Sequence, residues 1–206
     1  VFLNRAYQDE NSMAKDIKIK DANNCNYDES YIYIKGSSNG IPAIFPLDEE
    51  TGWLIGLFIA EGNFTTITRY KNGEYLGKDY LGHETTITCG QEEADKAKAI
   101  LNRLKIGFGE DKKDNGCTAI RIYNMLFADF LREVFGIQHL SRLKCLPQYY
   151  RHYSKKFLRG MLAGIIDGDA SITGKTEQAN TRIDLRVSSK TLVTQVKHLT
   201  SILGFD

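Results

Sequence analysis

Hydrophobic and polar positions fall into two series along this chain, the second a shorter version of the first. Residues 1–46 are polar and mixed: Asn23-Asn24-Cys25-Asn26 reads as a loop, and Tyr31-Ile32-Tyr33-Ile34 as a short strand closed by Gly36. A stronger pattern begins at Leu47. Asp48 or Thr51 can cap a helix there, and Glu49 and Glu50 suit its first turn. The run from Trp53 to Ala60 is apolar on every side, which predicts a helix buried on every side. Threonine-rich strands are predicted from Phe64 to Tyr70 and from Glu84 to Cys89, joined by a loop holding Gly73, Gly77 and Gly82. Over 91–104, Ala94, Ala97, Ile100, Leu101 and Leu104 share one helical face. A strand over 117–123 and a helix from Met125 to Phe135 complete the series. The pattern then restarts with a second apolar helix, Phe157 to Ile166. A strand follows over 182–188 with Ile183, Leu185 and Val187 on one face, then a helix over 191–203 closed by Gly204. On the layout of the first copy, the second lacks two strands and a helix. The expectation is a fragment, or a second half completed by something else.

The two apolar helices repeat one spacing. Leu54-Ile55-Gly56-Leu57-Phe58-Ile59-Ala60-Glu61-Gly62 lies over Leu162-Ala163-Gly164-Ile165-Ile166-Asp167-Gly168-Asp169-Ala170, each with small residues at the third and seventh places and a carboxylate at the eighth. Gly56 and Ala60 fall on one helix face, as do Gly160, Gly164 and Gly168. Small residues four apart let two helix backbones touch. Packing these two faces together brings the C-terminal ends side by side, with Glu61 beside Asp169. Paired carboxylates resist ionising unless a cation shares them. A hard cation with oxygen ligands suits them, Mg²⁺ being the usual intracellular one, and two helix C-termini favour it further. Water on such a cation suits phosphodiester hydrolysis. A lone carboxylate after an apolar helix is ordinarily a solvent contact; the matched pair is what points to a site.

Composition narrows the rest. With 206 residues, 42% hydrophobic and 26% charged, the chain can bury a sizeable core as one domain or two small ones. Twenty-seven basic against 26 acidic residues give a net charge of +1, which excludes a polybasic tail but not a local basic groove. No apolar run is long enough to span a membrane, and the Val1–Ala6 start does not read as a signal peptide. Cys25, Cys89, Cys117 and Cys145 are scattered, and His83, His139, His152 and His198 isolated, so neither a zinc site nor a disulfide framework is expected. An intracellular, cytoplasmic home fits.

Both motifs resemble the LAGLIDADG sequence that names a family of homing endonucleases: LAGIIDGD at 162–169 is close to it, and LIGLFIAEG at 54–62 is similar to the first motif of endonucleases carried within inteins. Lys144-Cys145-Leu146-Pro147 resembles the intein-type KxxP block, and the run from Val193 to Gly204 resembles the block after the second motif. The resemblance covers about 47 to 206. It implies an α+β, pseudo-twofold fold of two αββαββα halves, with the motif helices at the interface and antiparallel sheets as a saddle over double-stranded DNA. It divides the chain into an N-terminal accessory segment, intein-derived on this reading (1–46), a first half (47–150) and a truncated second half (151–206). Carried onto this chain, it makes Glu61 and Asp169 the Mg²⁺ ligands and Lys144 a third catalytic residue, basic and near the scissile phosphate, for a staggered double-strand cut. Ala170 departs from the motif, which ends in glycine, and puts the turn after Asp169 in question. Inteins splice through a nucleophilic first residue and a terminal His-Asn; with Val1, Asp206 and no His-Asn pair, splicing by the chain as given is not expected. The remaining partners are a host protein in cis, if this is an intein, and a second chain or further segment completing the second half.

Two surfaces are candidates for DNA. No acidic residue lies between Glu133 and Asp167, where Arg142, Lys144, Arg151, Lys155, Lys156 and Arg159 are interleaved with Tyr149, Tyr150 and Tyr153. A solvated linker is the plain alternative. The strands present polar faces: Thr66, Thr68 and Tyr70; Glu84, Thr86 and Thr88; Ala119, Arg121 and Tyr123; Arg182, Asp184, Arg186 and Ser188. Such faces can meet base edges in a major groove, although half-solvated sheets look the same. The expected DNA-binding set is Thr66, Thr68, Thr86, Thr88, Arg121, Tyr123, Arg142, Arg151, Arg182 and Arg186. The rival functions are a non-cleaving LAGLIDADG module, maturase-like or regulatory, and an inactive intein remnant.

Overall fold

The structure is a computed structural model that describes residues 4–6, 16–20, 25–28, 30–71, 74–173 and 182–205. For residues 4–6, 16–20, 66–71, 74–83 and 172 the backbone alone is described. In chain order the elements are β1 (Asn4–Ala6), β2 (Asp16–Lys20), β3 (Cys25–Tyr27), β4 (Tyr31–Ile34), β5 (Gly40–Pro42), β6 (Ile44–Pro46), α1 (Glu49–Glu61), β7 (Gly62–Lys71), β8 (Glu74–Cys89), α2 (Gln91–Arg103), β9 (Gly109–Lys112), β10 (Thr118–Tyr123), α3 (Met125–Asp129), α4 (Lys155–Asp169), β11 (Ala170–Thr173), β12 (Arg182–Leu185) and α5 (Lys190–Leu203). The fold is α+β, and its sheets are antiparallel.

Helix α1 starts where capping chemistry dictates. Asp48 Oδ1 accepts from Thr51 N at 2.9 Å, and Thr51 Oγ1 accepts from Asp48 N at 3.2 Å, a reciprocal cap that satisfies two otherwise orphaned donors. Every residue from Thr51 to Ile59 is buried, as an all-apolar helix requires. On one side of α1 runs α4. A Cβ added to Gly160 would run into the Glu49 carbonyl, one on Gly164 into the Trp53 carbonyl, and one on Gly56 into the Met161 carbonyl. The two backbones are in contact, parallel, with their C-terminal ends at the same level. Gly52 belongs to the same seam against Phe157, ahead of the interface residues that the motifs identify. Trp53 adds a polar tie across it, its Nε1 donating to Asp167 Oδ2 at 2.7 Å.

The four-stranded sheet β7-β8-β10-β9 packs on α1 and α2, and β11-β12 follows α4 in the same sense as β7-β8 follows α1. Residues 30–46 share the central core: Ile32, Ile41 and Phe45 are fully buried, the Phe45 ring lies tilted against Phe130 with centroids 4.6 Å apart, and Asn124 Nδ2 donates to the Gly40 carbonyl at 2.9 Å.

Several elements differ from the sequence expectation. Cys25 and Asn26 lie in β3 rather than a loop, because β4 offers them an antiparallel partner. Gly77 and Gly82 lie within β8, which continues through them along β7; register shifts between Phe64 and Thr66 and between Thr68 and Tyr70 absorb the irregularity. Gly73 lies outside the described residues. The helix expected to Phe135 is α-helical only to Asp129 and continues as a π turn over Phe130–Val134, which aims Phe130, Leu131, Val134 and Phe135 all inward. The strand expected over 182–188 ends at Leu185, and Ile183 is 51% exposed instead of covered, since no described element lies over it. Gly204 closes α5 at φ +82°, the left-handed cap the sequence implied. Among the described residues no helix is long and apolar enough to cross a membrane.

Candidate active site

The glycine seam determines where the two acidic residues meet. A Cβ on Gly168 would lie 3.2 Å from Glu61 Cγ, so the Glu61 side chain rests against the residue before Asp169. Both carboxyls are half-buried. Burial raises the Glu61 pKa above its ordinary value, the neighbouring Asp169 charge raises it further, and Lys144 opposes the shift. Burial likewise raises Asp169, again against Lys144. Two acids raised side by side at two converging helix C-termini form a site short of positive charge.

Lys144 arrives from the connector between the halves. A single 3-10 turn, Ser141–Leu143, precedes it; buried Leu146 follows, its N–H donating to Gln195 Oε1 on α5 at 2.7 Å. The lysine is only 7% exposed, and its Nζ donates to the Ala60 and Gly62 carbonyls at 2.8 Å each. Burial lowers its pKa while Asp169 and Glu61 pull the other way. It is thus near both acids and held inside the protein. Tyr150 and Tyr153, expected among the exposed basic residues, are core residues: Tyr153 is fully buried, and the Tyr150 hydroxyl bonds His198 Nδ1 at 2.6 Å.

Strand register lays out the polar face of the first sheet. One row places Asn63, Thr86, Arg121 and Gly109 abreast; another places Thr88, Ala119 and Asp111; Glu84 faces Tyr123. Tyr123 is 54% exposed, and Arg121 pairs with Asp111 at 2.6 Å. Ala119, on the same face, is buried between β8 and β9. Thr66 and Thr68 lie in β7, but their side chains are outside the described residues. Asn63 is exposed beside Thr86; only the register reveals it. In the second half Arg182 pairs with Asp184 at 2.7 Å, and Arg186 is exposed with its N–H donating to the Asp169 carbonyl at 3.3 Å. Arg142 and Arg151 are exposed on the connector, Arg151 over the Tyr150 ring. These side chains therefore form two groups, the sheet faces and the connector.

No group of three or more His, Cys, Asp or Glu side chains among the described residues is arranged to hold a metal. A cation at Glu61 and Asp169 would take its other ligands from outside the protein side chains. That suits a hard divalent cation, which keeps waters and takes phosphate oxygens readily.

Residues 156–206, which hold the second motif, match the family model of the LAGLIDADG-like domain. In fold the chain is similar to I-DmoI in a crystal structure with DNA and Mn, at a TM-score of 0.52 and 15% identity over 77% of this chain and 79% of that one. Among curated proteins it is 29% identical over 141 residues to the RNA polymerase subunit Rpo1C of Methanocaldococcus jannaschii. It is 28% identical over 165 residues to the helicase Hel308 of Thermococcus kodakarensis, and 30% identical over 162 residues to the replication factor C small subunit of M. jannaschii. These alignments take in 67%, 80% and 71% of this chain but only 14%, 14% and 8% of the relatives' lengths.

Proposed function

We propose that this chain, which has the LAGLIDADG homing-endonuclease fold and a LAGLIDADG-like domain over 156–206, is a site-specific DNA endonuclease that hydrolyses phosphodiester bonds with Mg²⁺ and leaves a staggered double-strand break. The observation that carries the reading is the meeting of Glu61 and Asp169, both with raised pKa values, at the paired ends of α1 and α4. Residues 47–150 and 151–206 act as the two halves. The polar faces of β7–β10 and β11–β12 read the major groove, and Arg142 and Arg151 meet phosphates. The structural likeness to DNA-bound I-DmoI, at a TM-score of 0.52, supports the scaffold, and the acids supply the chemistry.

The two carboxylates fit a divalent cation, which when bound supplies Lewis acidity at the scissile phosphate. The chain's own contribution is positional. Backbone contact along the glycine seam sets the separation of the acids, and Trp53 holds Asp167, two residues from Asp169.

An insertion within a host protein, as in an intein, is the setting we favour. Relatives with three unrelated names share this segment over a small fraction of their length, so the segment is not what gives each its name. The test is Mg²⁺-dependent cleavage of a randomised duplex library, run beside Glu61→Ala/Asp169→Ala. One enriched, staggered cut absent from the variant is the expected result. Enrichment by binding without a cut would instead make the chain a recognition module.

A further inference from the structure

Lys144 is the one buried ammonium among the described residues, and its three N–H bonds are largely accounted for. Two go to the carbonyls of Ala60 and Gly62, the residues on either side of Glu61. These are a carbonyl in the last turn of α1 and the first carbonyl of β7, where the chain changes from helix to strand. A buried ammonium donating to both carbonyls fixes the peptide planes that flank Glu61, and so the direction in which its carboxyl leaves the backbone. The turn is already close-packed, since a Cβ on Gly62 would run into the Phe58 carbonyl and ring. The second motif is held differently. Among the described residues the Asp169 carbonyl accepts a long bond from the Arg186 N–H, 3.3 Å, and the next residue is Ala170.

We infer that Lys144 is a positioning residue for Glu61, clamping the backbone on both sides of that acid, and not a group that contacts the scissile phosphate. The inference rests on the endonuclease reading of the Glu61–Asp169 site. Among the described residues it makes the two ends of the motif pair mechanically unequal, with one clamped by a side chain from the connector and the other held by a backbone bond. Moving Nζ to a phosphate would give up both of these carbonyl bonds, an unfavourable exchange.

The test uses the full chain, wild type and Lys144→Met, with its enriched duplex. Amide hydrogen exchange should rise in Lys144→Met over peptides spanning 58–64 and stay as in wild type over 166–172. With Ca²⁺ in place of Mg²⁺, duplex affinity should change by less than about twofold and the dependence of log affinity on log salt should keep its slope, because every phosphate keeps the cation that neutralises it. Single-turnover cleavage with Mg²⁺ should slow by about tenfold or more. A salt slope shallower by about 0.9, with weakened binding, would overturn the inference and make Lys144 a phosphate contact. Unchanged exchange at 58–64 would overturn it too. If Lys144→Met fails to fold, a crystal structure of the wild-type complex with duplex and Ca²⁺ decides: Nζ on Ala60 O and Gly62 O supports the clamp, and Nζ on a phosphate oxygen refutes it. A wild-type chain that binds but never cuts would count against the endonuclease reading alone, and the exchange pattern would still decide the clamp.

Discussion

Glu61 and Asp169 are held where neither ionises freely, and this has a consequence for stability. Both pKa values lie above those of the unfolded chain, with burial the leading cause. The folded state therefore binds protons more tightly than the unfolded one at these two groups. Their contribution is most favourable below the unfolded carboxylate pKa and is lost as pH rises through the raised folded values. At neutral pH and without metal the pair strains the fold. Glu61→Gln/Asp169→Asn should accordingly melt higher than wild type in EDTA at pH 7, with the gap closing as pH falls through the carboxylate range. Mg²⁺ should raise the melting temperature of wild type and leave the variant's unmoved. Equal response to Mg²⁺ in both would mean that the acids do not hold it. The acids themselves are legible in the sequence because each follows an apolar helix at the same place in a repeated motif. The burial of Lys144 is not, since a lysine in a polar connector ordinarily reaches water, and only the tertiary path of the connector turns this one inward.

At the scale of elements, the α1–α4 seam decides the geometry of the site, and its glycines are under a steric demand rather than a conformational one. Replacing Gly160 by Ala would gain up to about 1 kcal/mol in helix propensity. It would also drive a Cβ into the Glu49 carbonyl, and overpacking of this kind costs about 1–3 kcal/mol. The steric effect should win, so Gly160→Ala lowers the denaturant midpoint, and cleavage falls with it as the helix ends move apart. A Gly160→Ala chain as stable as wild type would show that the helices can separate at no cost. Small residues four apart make this seam readable in advance. Gly52 follows the same spacing one turn before Gly56, as Gly160 does before Gly164, so the seam extends past both motifs toward the helix starts. The long β8 is unreadable for another reason: its glycines signal turns locally, and only pairing with β7 overrides them. The π turn after α3 likewise answers to the packing of Phe130 and Phe135, at 5.1 Å between ring centroids, rather than to any local signal.

For the whole molecule, a net charge of +1 hides an uneven surface. The connector carries exposed Arg142 and Arg151 without an acidic neighbour in sequence, and α4 begins with exposed Lys155 and Lys156. On the sheets, by contrast, Arg121 and Arg182 are each paired with an aspartate. An arginine already paired must exchange one anion for another when it meets DNA, and a fully exposed one need not. The two groups should then separate under salt. Arg142→Ala/Arg151→Ala should weaken binding to any duplex and make the log affinity–log salt slope shallower by roughly 0.9 for each phosphate that is no longer neutralised. Arg121→Ala should lower the preference for the enriched site over random duplex by about 1–3 kcal/mol while changing that slope little. Asp111→Asn, which frees Arg121 from its partner, should tighten non-specific binding at low salt, measured by fluorescence anisotropy. If Arg121→Ala and the connector double variant shift the salt slope alike, the sheet contacts phosphates and specificity lies elsewhere. If neither changes it, the DNA crosses a face of the molecule other than the one formed by β7–β10 and the connector.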